Sequence, residues 1–94
     1  MLDLENIKSI YFIGIGGVGM SAAAGVASQL GYEVRGSDSK AIYDPAKSVL
    51  DSNGIEYSVG YAVENISEQT VDLYIASSGE GETNPEVAYL IEQG

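Results

Sequence analysis

Short apolar runs alternate with stretches of helical spacing along most of the chain. Ser9–Ile13 (SIYFI) is a continuous apolar run ended by glycines, the pattern of a strand buried on both faces. The segment GIGGVG follows at once, and residues 20–30 (MSAAAGVASQL) then place Val26 and Leu30 at helical spacing, with Gly31 as the stop. The many small residues of this helix predict close packing on a sheet. Residues 33–36 read as a short second strand leading into Ser37, Asp38 and Ser39. Asp44 can cap a second helix, with Pro45 in its first turn, Ala46, Val49 and Leu50 on one face, and Asn53-Gly54 at its end. Residues 55–59 are a third strand, residues 63–67 a single helical turn or a loop, and residues 71–76 a fourth strand. After a polar loop over residues 77–82, Thr83-Asn84-Pro85-Glu86 offers a capping box, and Val87, Leu90 and Ile91 supply the buried face of a last helix.

Strands alternating with helices imply an α/β fold, a Rossmann-like three-layer domain with a parallel, doubly wound sheet of four to five strands. The 94 residues suit one domain with a modest core. A further strand is expected where the sequence stops at Gly94, so residues 1–94 read as one domain of a longer chain.

The glycine-rich segment carries the first chemistry. Gly14-x-Gly16-x-x-Gly19 lies between an apolar strand and a helix, the context in which this motif binds a diphosphate. The first glycine permits a tight turn, the second lets the backbone approach the ligand, and the third lets the helix pack on the strand. The helix N-terminus then offers unpaired N–H groups and about half a positive charge. Without a ligand, the same segment is simply a tight strand-to-helix turn. It nearly matches the Walker pattern, but Met20 stands where that pattern needs lysine, which argues against ATP turnover here. Asp38 follows Gly14 by 24 residues, about where a dinucleotide fold places its ribose-binding acid. It suits a ribose hydroxyl, a base N–H, or a solvated cap. Ser77 and Ser78 follow the fourth strand at the same edge of the sheet. Tyr43 and Tyr61 are candidates for base contact, whereas Tyr11 and Tyr74 sit in strands and read as core.

Composition narrows the partners. Fourteen acidic and four basic residues give a net charge of −10, which leaves no basic stripe for nucleic acid. A bound phosphate must therefore be held by local backbone donors against an opposing field. Cysteine and histidine are both absent, which removes disulfides, thiolate metal sites and the commonest acid/base side chain. No metal site is expected. The apolar run at residues 10–15 is short and glycine-punctuated, unlike a signal peptide or membrane span, so a cytoplasmic location without membrane contact is expected.

The order of FIGIGGVGMS, LGYEVRGSD, VGYAVENI, the serine pair and NPEV resembles that of the UDP-N-acetylmuramate–L-alanine ligases, members of the Mur ligase family, over nearly the whole chain. The resemblance implies an N-terminal domain that holds the UDP part of UDP-N-acetylmuramate in peptidoglycan synthesis. It implies that Gly14, Gly16, Gly17, Val18, Gly19 and Met20 receive the diphosphate. Ser37, Asp38, Ser39 and Tyr61 would face the uridine and ribose, and Ser77 and Ser78 the phosphates and sugar. It also implies ATP and Mg2+ for the complete ligase, bound by further domains, with no cofactor and no catalysis in this domain. Tyr61 stands where the family commonly has histidine, and Ser77-Ser78-Gly79-Glu80 where Ser-Ser-Ala-Ile is usual. Tyr43-Asp44-Pro45 and Gly60-Tyr61 are similar instead to the murein tripeptide ligases. Three functions are thus open: a nucleotide-sugar-binding ligase domain, an NAD-binding oxidoreductase domain, and a non-catalytic binding module.

Overall fold

The computed structural model describes residues 7–67, 70–77, 81 and 83–93. In chain order the elements are β1 (Ser9–Ile13), α1 (Val18–Gln29), β2 (Glu33–Asp38), α2 (Ala46–Ser52), β3 (Glu56–Val59), α3 (Glu64–Ser67), β4 (Leu73–Ala76) and α4 (Pro85–Gln93). The strands form one parallel sheet in the order β3-β2-β1-β4. The chain therefore winds outward from β1 through β2 to β3, then returns to lay β4 on the other side of β1. Parallel strands require these crossovers, and the reversal beside β1 makes a crevice at the carboxyl edge.

β1 is the central strand, and its alternating side chains build both halves of the core. Ile10 and Phe12 pack with Ala24 and Ala27 of α1 and with Ala46 and Leu50 of α2. Tyr11 and Ile13 point to the opposite face, where they meet Ile66 of α3 and Val87 and Leu90 of α4. This is the expected three-layer arrangement. At the amino edge the Asp72 carboxylate accepts the N–H groups of Lys8 at 2.8 Å and Ser9 at 3.2 Å, which draws the start of β4 beside β1. Those two backbone donors hold its carboxyl below the usual carboxylate range.

Several local expectations are corrected. α1 begins at Val18, inside the glycine segment, and Val26 and Leu30 are exposed. The stripe it buries is Ser21, Ala24, Gly25 and Ala27, because small residues allow a closer approach than branched ones. A Cβ at Gly25 would lie 3.0 Å from Val49 of α2, so the small residues serve the α1–α2 contact as well as the sheet. β2 runs on past Gly36 to Asp38, since Ser37 pairs with Ile13 and both Ser37 and Asp38 pair with β3. Asp44 does serve α2, accepting from the Ser48 N–H at 3.0 Å, although Pro45 is the capping residue by backbone geometry. At α4 the cap is Asn84 rather than Thr83: its Oδ1 accepts the N–H groups of Glu86 at 2.8 Å and Val87 at 3.3 Å. Ile91 is 61% exposed, and the position that α4 buries completely is Glu86.

These burials predict opposite outcomes for two apolar truncations. Leu50→Ala should cost about 2–5 kcal/mol, whereas Ile91→Ala should stay within about 0.5 kcal/mol. Urea unfolding followed by circular dichroism measures both.

Candidate functional site

β1 ends in the glycine turn because Gly14 takes a φ of +87°, open to glycine and costly for other residues. The turn is tied to the end of β2, where the Ser37 carbonyl accepts the N–H groups of Gly14 at 2.8 Å and Ile15 at 2.9 Å. Gly17 then caps α1 in an extended conformation, with no side chain bonded to the helix end and no acidic residue in its first turn. Helix geometry leaves the N–H groups of Val18, Gly19 and Met20 without intrahelical acceptors, and the Ser21 N–H is the first to bond back, to the Gly17 carbonyl at 2.8 Å. Gly17, Val18 and Gly19 are exposed, so this donor-rich end faces outward at the crevice.

The glycines divide their work differently from the expectation. A Cβ at Gly16 would lie 2.7 Å from the Asp38 carboxylate and 2.9 Å from Ile42, so its bareness makes room for protein neighbours. A Cβ at Gly19 would meet nothing within 4 Å, so packing of the helix on the strand does not require glycine there. The space above Gly19 is open.

Asp38 stands at the end of β2 with its two oxygens divided. Oδ2 accepts the Gly16 N–H at 2.8 Å, and Oδ1 accepts the Ser39 N–H at 2.7 Å. Beside it opens a cleft of about 250 Å³ lined by Gly16, Val18, Asp38, Lys40, Ile42 and Tyr43. Lys40 and Ile42 escaped the sequence reading, because only the course of the loop after β2 brings them beside the glycine turn. Tyr43, a candidate for base contact, is 74% exposed on this cleft.

Ser37 and Tyr61 lie on the other side of the sheet. Ser37 is fully buried, and its hydroxyl donates to Glu86 Oε1 at 2.7 Å. It supports the crevice from beneath and does not open onto it. Tyr61 packs with Tyr11, Ile13 and Ile66 on the α4 face, away from the cleft beside Asp38. The backbone N–H of Ser77 donates to the Ile13 carbonyl at 2.9 Å, which sets Ser77 next to the start of the glycine turn. Ser78, Gly79, Glu80 and Glu82 lie outside the described residues. The capping-box pattern assigns the Glu86 side chain to its own helix end, but the carboxyl group instead accepts from Ser37, Ala62 and Asn65.

Tyr11 joins this buried cluster. It is 1% exposed, and its hydroxyl has no hydrogen-bond partner among the described residues. Burial pushes its pKa up to about 12, and the nearby Glu86 adds to the effect. Among the described residues, no group of three or more carboxylates is gathered to hold a metal ion, and no helix is long and apolar enough to cross a membrane.

A glycine turn leading to an uncapped helix, set at the reversal of a parallel sheet, is shared by many nucleotide-binding proteins. The family is decided by sequence: the model of the Mur ligase family, catalytic domain, matches residues 9–94. The chain belongs to the Mur ligase family. Among solved structures, a UDP-N-acetylmuramate:L-alanyl-gamma-D-glutamyl-meso-diaminopimelate ligase from Neisseria meningitides is similar, with 30% identity and a TM-score of 0.78 over 93% of this chain. A murein peptide ligase from Psychrobacter arcticus is similar with 28% identity and a TM-score of 0.84, again over 93% of this chain. The chain spans 26% and 18% of those two proteins, so it corresponds to a minor part of a Mur ligase.

Two measurements test this geometry. Gly16→Ala should destabilise by about 1–3 kcal/mol through overpacking against Asp38 and Ile42, while Gly19→Ala should be neutral or stabilising by up to about 1 kcal/mol in urea titrations. The Tyr11 phenol ionises near 10 in the unfolded chain and near 12 in the native one. The unfolded state therefore binds fewer protons in that window, and stability should fall as pH rises from about 10 to about 12. In Tyr11→Phe the decline should be shallower.

Proposed function

We propose that this chain is the nucleotide-sugar-binding domain of an ATP-dependent Mur ligase, and that its ligand is UDP-N-acetylmuramate. The observation that carries the reading is the uncapped N-terminus of α1, presented by the glycine turn at the reversal of the sheet. A diphosphate there accepts from the N–H groups of Val18, Gly19 and Met20, and the helix dipole offsets the acidic field of the chain. Gly14 and Gly16 shape the turn. The nucleoside extends into the cleft beside Asp38 and Ser39, where Tyr43 offers a face for the base and Lys40 a charge for a phosphate oxygen. Ser77, held next to the start of the glycine turn, is assigned to the sugar side, whereas Tyr61 packs on the α4 face away from this cleft.

The two similar solved structures support the murein tripeptide reading of the complete protein as strongly as the motif order supports the alanine-adding one. The name of the Neisseria protein includes UDP-N-acetylmuramate, and both readings share that substrate. They differ in the amine that is joined to its carboxyl. In the complete ligase ATP would activate that carboxyl as an acyl phosphate for attack by the amine. Met20 in the Walker lysine position argues against ATP turnover at this turn, so we assign the ATP and Mg2+ chemistry to other domains of the ligase and the binding of the nucleotide sugar to this one. An NAD-binding oxidoreductase domain is the competing ligand class for the same turn.

Calorimetric titration with UDP-N-acetylmuramate, UDP and NAD tests the reading. The two UDP compounds should bind and NAD should not. Gly17→Asp should weaken UDP binding by at least about tenfold, because a carboxylate at the cap competes for the same N–H groups. Gly17 has extended backbone angles and room for a Cβ, so the variant should melt no lower than the parent. Binding of NAD alone would transfer the chain's ligand to the dinucleotides.

A further inference from the structure

Glu86 is fully buried, yet neither the diphosphate turn nor the nucleoside cleft uses it directly. Its Oε1 accepts from the Ser37 hydroxyl at 2.7 Å, and its Oε2 accepts from the Ala62 N–H at 3.1 Å and from Asn65 Nδ2 at 2.7 Å. The same Ser37 holds the glycine turn through its backbone carbonyl, and the same Asn65 amide donates to the Gly60 carbonyl at 2.9 Å. The Gly60 N–H closes the circuit on the Asp38 carbonyl at 2.7 Å. One carboxyl group on the last helix thus joins the end of β2, the segment after β3 and the start of α4, at the edge where the glycine turn leaves β1.

A buried carboxyl group is costly unless its oxygens are fully bonded, and an apolar side chain would fill the same space without that requirement. What the carboxyl group adds is fixed distances to three donors on two separate segments. We propose that Glu86 is a positioning residue: it sets the geometry of the diphosphate-binding turn through Ser37 without touching the ligand. This inference rests on a UDP compound being the ligand of that turn, and its test separates the two.

UDP is titrated into the chain and into Glu86→Ala and Glu86→Gln, with amide exchange followed at Gly14 and Ile15 and also at Val34 and Leu50, which lie away from the turn. Gln keeps an acceptor for Ala62 and Asn65, and its amide can face a Ser37 hydroxyl turned to accept, so this variant should bind within about threefold of the parent. Ala should bind UDP about tenfold more weakly and speed exchange at Gly14 and Ile15 far more than at Val34 and Leu50. Unchanged UDP affinity in Glu86→Ala, or exchange raised equally at all four positions, would overturn the proposal. If Glu86→Ala does not fold, Asn65→Ala removes the amide's bonds to Glu86 and to the Gly60 carbonyl and leaves the carboxyl group in place. It should weaken UDP by about threefold, and unchanged affinity there would count against the positioning role. Failure of the unaltered chain to bind UDP would refute the ligand, while the exchange pattern would still decide whether Glu86 holds the turn.

Discussion

The Ser37 carbonyl accepts two N–H groups, from Gly14 at 2.8 Å and Ile15 at 2.9 Å, and there β1 stops being a strand and becomes the entry to α1. The whole carboxyl edge follows from this contact. It needs β1, the turn and β2 to approach closely, and the absence of side chains at two positions permits that. A Cβ at Gly36 would lie 2.6 Å from the Phe12 carbonyl and from the Ile15 side chain, and one at Gly16 would meet Asp38. With the turn seated on β2, Asp38 reaches the Gly16 N–H and the first N–H groups of α1 are aimed outward. Ser37 is held in turn by Glu86, so the far end of the sequence governs the geometry of its beginning.

Electrostatics explains why the donors at this edge are local. The chain carries a net charge of −10 and four basic residues. Arg35 pairs with Glu33 at 3.0 Å and Lys47 with Asp51 at 2.6 Å, both at exposed positions where ion pairs contribute little to stability. Lys40 lies on the cleft beside Asp38. A helix end delivers its N–H groups at close range and needs no net positive charge, which suits an anion site on an acidic domain. The chain spans 26% and 18% of the two solved Mur ligases that it resembles.

Residue patterns were enough to predict the layer order, because a continuous apolar run between glycines and the repeated strand–helix alternation both reflect burial of β1 from two sides. They also located the glycine turn and Asp38, whose spacing is a property of the chain alone. Periodicity misjudged the helix faces. Val26 and Leu30 are apolar and correctly spaced, yet they are exposed, because Ala24, Gly25 and Ala27 let α1 approach more closely on another face, and Ile91 is exposed on α4, whose fully buried position is Glu86. The strand reading ended at Gly36, since glycine normally breaks strands, and only the approach of Phe12 explains a glycine inside one.

The sequence by itself determined the fold class, the family and the place of the glycine turn, all of which depend on neighbours in the chain or on the order of motifs. Tertiary structure alone decided which polar groups at the edge face outward. Ser37 and Asp38 are adjacent in the strand, and the pleat sends one beneath the sheet to Glu86 and the other above it to Gly16. Glu86 looks like half of a helix cap in the sequence. It becomes a buried link because its partners, 49 and 24 residues away at Ser37 and Ala62, are brought together by the return of β4 beside β1.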